Sequence, residues 1–138
     1  MSTLSLKSLL VPSKTVEVDF PGMPGFKISL SFLSRETIQG IRKKSTKTTF
    51  KNRQPVEELN EDAFLEHYVK AAIKGWTGFK LKYLEQLAPV ELTGSDLEDE
   101  LEYSEENALY LMKSSTNFDG FISEQVSDLT NFSKNKQD

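Results

Sequence analysis

The sequence predicts an α+β domain that is mainly α-helical, with a short N-terminal β-hairpin packed on a small bundle of about four helices. Two alternating apolar and polar runs lie within residues 14–33 and predict the hairpin. Apolar residues then recur at helical spacing through residues 34–132. A length of 138 residues suits one domain. We therefore expect a single domain over 14–132, a flexible arm over 1–13 and a polar tail over 133–138.

The predicted hairpin has apolar side chains on one face of each strand and a turn between the strands. The first run places Val16, Val18 and Phe20 on a common face. The second run does the same with Phe26, Ile28, Leu30 and Phe32. Between them, the dense Pro/Gly segment 21–25 predicts the turn. A lone hairpin is marginal in water, so we expect it to pack on the helices.

The helical part begins with a helix from Arg35 to about Ser45, capped by Ser34. The second helix follows Asn60, and its apolar stripe extends to Trp76. A short further turn of helix precedes Pro89.

Two more helices complete the predicted bundle. Ser104 is the cap candidate of the first of them. The other carries the clearest amphipathic stripe of the chain, in which we expect Ile122 and Val126 to face the core.

Charge is unevenly placed within a net charge of −4. Residues 41–53 hold six bases and no acid, and residues 91–106 hold eight acids and no base. These two charge runs are either solvated, partly mobile segments or complementary surfaces for self-association or a partner. We interpret Lys47 to Leu59 as a basic connector, because threonines at 46, 48 and 49 are weak helix formers and Pro55 interrupts the stretch. Residues 90–103 are acidic, contain Gly94 and are interpreted as a loop.

No constellation of catalytic or metal-ligating residues stands out. The chain has no cysteine, and its one histidine, His67, has no second histidine to complete a zinc or catalytic set. The Pro/Gly turn at 21–25 lacks the Lys-Ser/Thr that follows a phosphate-binding loop. No apolar run approaches the roughly 18 residues of a membrane span. We expect a non-enzymatic protein without cofactor or metal, and no membrane partner.

The candidate partner-binding residues are of two kinds. The only tryptophan of the chain either closes the core or anchors an interface, a role in which tryptophan is enriched. Basic residues of the connector region are the other kind. The candidates are Arg42, Lys43, Lys44, Lys47, Trp76 and Phe79.

Three sequence features follow one another within residues 64–132. A predicted helix ends in the segment Ala71 to Phe79, which contains an Ile-x-x-Trp element. A polar loop then leads into a predicted helix start, Tyr103-Ser104-Glu105-Glu106-Asn107, of the form Tyr/Phe-Ser-x-Glu-Asn. A final helix, Phe118 to Phe132, precedes a short polar tail. In this order, the features resemble those of the tail assembly chaperones of long-tailed, siphovirus-type bacteriophages.

The resemblance implies a late protein of the host cytoplasm that is absent from the mature virion. Such proteins bind the tape-measure protein, keep it soluble and promote assembly of the tail tube. In many of these phages a longer, frameshifted form recruits the tail-tube protein. Ser133-Lys134-Asn135 can be encoded by UCA-AAA-AAC, which contains a slippery heptamer.

Two alternatives remain open at this point. One is a protein-binding adaptor or structural component of the virion. The other is a nucleic-acid-binding regulator, since the bases of 41–53 could neutralise phosphates. The overall acidity and the single interleaved aromatic, Phe50, make nucleic acid the weaker alternative.

Overall fold

The computed structural model describes residues 5–6, 14–92, 94 and 96–128. Most of the predicted arm 1–13 and the whole predicted tail 133–138 lie outside the described residues. The same holds for the proposed slippage point at Ser133–Asn135 and for Phe132 at the end of the last apolar stripe.

The predicted N-terminal hairpin is confirmed. Strand β1 (Thr15–Asp19) pairs antiparallel with β2 (Lys27–Ser31), in a register that places Val18 opposite Ile28. The hairpin does not stand alone, however. A third strand, β5 (Ile73–Thr77), pairs antiparallel with the free edge of β2 and gives a sheet of order β1-β2-β5.

Five helices are present in the described ranges: α1 (Arg35–Lys44), α2 (Glu61–Ala72), α3 (Leu81–Leu87), α4 (Glu105–Ser114) and α5 (Thr116–Ser127). Side-chain caps fix the beginning of four of them. The predicted caps are confirmed, since Ser34, Asn60 and Ser104 each accept a hydrogen bond from the backbone N–H three residues on. Ser115 caps α5 in the same way.

The segment interpreted as a basic connector is a second β-hairpin, so that prediction was wrong. Strand β3 (Thr46–Lys51) pairs antiparallel with β4 (Gln54–Leu59) in a separate two-stranded sheet. Asn52 and Arg53 form its turn with φ values of 52° and 65°. A two-residue hairpin turn with positive φ at both positions matches the right-handed twist of the strands.

The predicted fold class is corrected accordingly. The domain is α+β with two sheets and five helices among the described residues, and not a helical bundle of about four helices with one hairpin. The second helix stops at Ala72, and the chain continues as β5 because Ile73 and Trp76 bury their side chains from an extended backbone. The Ile-x-x-Trp element is therefore a strand and not a helix end.

A cluster of aromatic rings joins the sheet to the helices. Phe26 and Phe79 stack with centroids 4.2 Å apart, and Trp76 meets Phe79 edge-on at 5.3 Å. The indole also meets Phe118 of α5 at 6.4 Å. Ile122 and Val126 of α5 are buried, as the sequence predicts.

The acidic loop is held against the domain rather than solvated along its whole length. The backbone N–H of Leu101 donates to the carbonyl oxygen of Phe79 at 2.7 Å, and the indole N–H of Trp76 donates to that of Leu101 at 2.9 Å. Two lysines, Lys82 and Lys80, hydrogen-bond Glu98 and lower its pKa to about 2. These contacts fix the loop beside β5 and α3.

The turn after β5 requires glycine for two reasons that substitution can separate. Gly78 has a φ of +72°, and a Cβ there would lie 2.0 Å from the carbonyl oxygen of Gly25. Gly22 has a similar φ of +78° with no atom within 4 Å of such a Cβ.

We predict that Gly78→Ala lowers the free energy of unfolding by about 3 kcal/mol or more, because backbone strain and a backbone clash add. Gly22→Ala, the matched control, adds strain alone and costs about 1 kcal/mol. Urea titration measures both. Equal effects of the two substitutions would show that Gly25 and Gly78 do not meet closely.

Candidate interaction surfaces

The β3–β4 hairpin projects from the domain. None of the side chains from residue 46 to 59 is buried, in contrast to the apolar faces of β2 and β5. Its strands of six residues correspond to a length of roughly 20 Å. We call residues 46–59 the arm, which is distinct from the N-terminal arm predicted over 1–13.

The two ends of the arm meet at the domain. The backbone N–H of Asn60 donates to the carbonyl oxygen of Ser45 at 2.8 Å, and the hydroxyl of buried Ser45 donates to that of Ile41 at the same distance. The arm is thus an insertion between α1 and α2 whose entry and exit are hydrogen-bonded to each other. The core closes without it.

A groove of about 450 Å³ separates the arm from α1. We call it the basic groove. Its lining consists of Gln39, Arg42, Lys43, Thr46, Thr48 and Glu57. The Arg42 guanidinium lies over the ring of Phe64, 5.4 Å from its centroid. This cation–π contact positions the guanidinium at the groove.

The four basic candidates of the sequence are all exposed. Arg42, Lys43 and Lys44 lie in the last turn of α1, where the helix dipole favours cations, and Lys47 lies at the base of the arm. Within the described part of the chain, none of the four is within 4.0 Å of a carboxylate oxygen. Arg42 and Lys43 line the basic groove, whereas Lys44 is not part of its lining. Lys47 lies on the opposite face of β3 from Thr46 and Thr48.

The arm itself carries one ion pair. Lys51 contacts Glu58 at 3.1 Å, and its hydrogen bond lowers the pKa of that carboxyl. Phe50 lies on the opposite face of β3 from this pair, and 73% of its surface is exposed. The arm thus presents an aromatic ring on one face and an ion pair on the other.

The two aromatic candidates are in the core. Trp76 is 7% exposed and Phe79 is fully buried. In this conformation a partner can contact neither ring. Their role here is to join β5 to the helices and the acidic loop.

A second groove of about 330 Å³ lies between α2 and α4. We call it the acidic groove. Its lining consists of Glu66, Val69, Lys70, Glu105, Glu106, Leu109 and Tyr110. Three carboxylates face one lysine, and Tyr110 is 59% exposed. Sequence reasoning did not single out this groove, because its residues come from two helices far apart in the chain.

Other chemistry at these surfaces is sparse. His67 is half-buried on α2. Among the described residues, no group of three or more His, Cys, Asp or Glu side chains could hold a metal ion. None of the helices in the described ranges has both the length and the apolar character needed to cross a membrane.

Comparison with known protein families gives a match that covers most of the chain. Residues 22–138 match the model of the family described as YdaY prophage protein. The chain belongs to this family. It is therefore a bacteriophage protein, and the matched region includes the arm and both grooves of this family member. No curated protein and no solved structure matches it.

The hydrogen-bonded ends of the arm allow a direct test of its independence from the core. We predict that replacing residues 46–59 by Gly-Gly preserves cooperative unfolding at nearly the same temperature. The Asn60-to-Ser45 hydrogen bond then closes a two-residue β-turn, and no buried side chain is lost. Thermal unfolding followed by circular dichroism measures this. Loss of the cooperative transition would show that the arm is part of the folding unit.

Proposed function

We propose that this prophage protein is a tail assembly chaperone that binds the tape-measure protein, and that it acts by binding rather than by catalysis. In this proposal it works in the host cytoplasm, keeps the tape-measure protein soluble, promotes assembly of the tail tube and is absent from the mature virion. The observation that carries the proposal is the arm with its basic groove. The core closes without the arm, and no side chain of the arm is buried.

The chemistry of the basic groove favours a partner with acidic and apolar side chains. Lys43 and Arg42 have no carboxylate within ion-pair distance in the described structure, so an acidic partner residue would gain a new contact. Leu59, 36% exposed, lies on the face of the arm that holds Thr48 and supplies an apolar side chain there. An amphipathic helix that carries both acids and apolar residues fits such a surface.

A tape-measure protein offers long stretches of helix of this kind, which aggregate when their apolar stripe is uncovered. Exposed apolar side chains on a charged surface suit a contact that must later be released. The prophage family supplies the phage origin that this role requires, and the resemblance of the helix start Tyr103–Asn107 supports the chaperone role. Recruitment of the tail-tube protein belongs, in the same proposal, to a longer form made by frameshifting near Ser133–Asn135.

We predict that co-expression with the chain raises the soluble yield of the tape-measure protein of the same prophage. The armless Gly-Gly chain should lose this effect because the basic groove no longer exists. Lys43→Glu should weaken the complex roughly tenfold by placing a like charge opposite the acidic partner. Arg35→Glu, the same charge change at the other end of α1, serves as the control and should bind normally.

Pull-down and the soluble fraction on gels measure both effects. An armless chain that still solubilises the tape-measure protein would contradict the proposal. Two further results would favour the alternatives instead. Presence of the chain in purified particles would indicate a virion component. Binding to DNA or RNA that falls steeply with salt, without tape-measure binding, would indicate a nucleic-acid-binding regulator.

A further inference from the structure

Exposed aromatic rings are rare in this domain and mark two surfaces of opposite charge. Of all the aromatic side chains in the described ranges, only Phe50 and Tyr110 are exposed, at 73% and 59%. Phe50 lies near the tip of the arm, and Tyr110 lines the acidic groove. Exposed aromatics of this kind are the residues that most often anchor protein interfaces.

The acidic groove has an apolar lining and a charged rim. Val69 and Leu109 contribute the apolar part, and Tyr110 adds its ring. Glu66, Glu105 and Glu106 contribute carboxylates, and Lys70, 4.0 Å from Glu105, is the cation of the lining. The Lys113 ammonium lies over the Tyr110 ring, 5.9 Å from its centroid. A volume of about 330 Å³ is ample for one aromatic side chain with its neighbours.

The tip of the arm has the complementary character. Phe50 lies next to the turn that holds Arg53, whereas the Lys51 side chain lies on the opposite face of β3 and pairs with Glu58. Arg53, in the turn, is exposed and has no carboxylate within ion-pair distance in the described structure. Because Phe50 is largely exposed, it does not fill the acidic groove of its own chain.

We propose that the arm tip of one copy of this protein binds the acidic groove of a second copy, with Phe50 inserted beside Tyr110 and Arg53 facing Glu105 and Glu106. The second copy is the occupant because one chain carries both halves of a charge-complementary, aromatic-to-aromatic contact, and both halves are uncovered. Such a contact joins different surfaces on the two partners. Repeated, it lines copies up in a row, which suits a protein that covers a long helical partner.

This inference does not rest on tape-measure binding, since the purified full-length chain alone tests it. We expect the mass measured by sedimentation or light scattering to rise with protein concentration and to fall as salt is added, because salt screens the charged rim. Phe50→Asp and Tyr110→Asp should each raise the dissociation constant at least about tenfold. Leu97→Asp is the matched control, an exposed apolar residue outside both surfaces, and should associate like the unaltered chain.

Mixing the two variants tests the pairing itself. Phe50→Asp leaves an intact acidic groove, and Tyr110→Asp leaves an intact arm, so an equimolar mixture should form a complex that neither variant forms alone. Both sites are exposed, so circular dichroism should show the native fold in each. A chain that stays monomeric at all concentrations, or association that both variants leave unchanged, overturns the proposal. Failure of the mixture to associate while each variant is folded also overturns it.

Discussion

The burial of Trp76 is the constraint on which the rest of the domain depends. The residue sits opposite Ile28 in the sheet, so its backbone completes the three-stranded sheet while its ring faces the helices. The indole packs edge-on against Tyr103 at 5.2 Å and against Phe118, and its N–H donates to the carbonyl oxygen of Leu101. One side chain thereby joins the sheet, the acidic loop and the last helix. A polar N–H buried in this way needs its partner, which explains why the loop is held in place.

This arrangement leaves the arm free for another purpose. Strands β2 and β5 bury side chains in the core and β1 packs against it, whereas no side chain of β3 or β4 is buried. A two-stranded sheet outside the core is marginal by itself. We therefore propose that the arm serves to bind a partner rather than to stabilise the fold. In this proposal, the exposed cations, Phe50 and the two grooves supply the charged, aromatic and concave surfaces for binding.

The sequence predicts the elements whose signals are local, and misses those that depend on distant partners. Apolar and polar residues alternate on both sides of the turn at 21–25, which predicts the first hairpin. Ser34, Asn60 and Ser104 predict the beginnings of three helices. The third strand of this sheet, β5, has only five residues and directly follows a helix. Its apolar residues continue the helical spacing of that helix up to Trp76, so the sequence wrongly predicts helix there. Only the edge of β2 makes this segment a strand.

The arm was missed for a different reason. Each of its strands has few apolar residues, so the alternation of apolar and polar residues that marks a strand is absent. Thr46, Thr48 and Thr49 are β-branched and were the available signal. The turn is Asn-Arg and lacks the Asn-Gly pair that is typical of two-residue hairpins.

The two grooves also differ in how far the sequence predicts them. The cations of the basic groove belong to a run of basic residues that is visible in the sequence. The acidic groove forms only where two helices that are distant in the chain pack together.

Hydrogen–deuterium exchange on the complex with the tape-measure protein tests the central claim, that the arm and the adjacent end of α1 form the binding surface. The account predicts slower amide exchange from Arg42 to Leu59 in the complex, with unchanged exchange in β1 and β2. Protection confined to α5, with none in the arm, would contradict it.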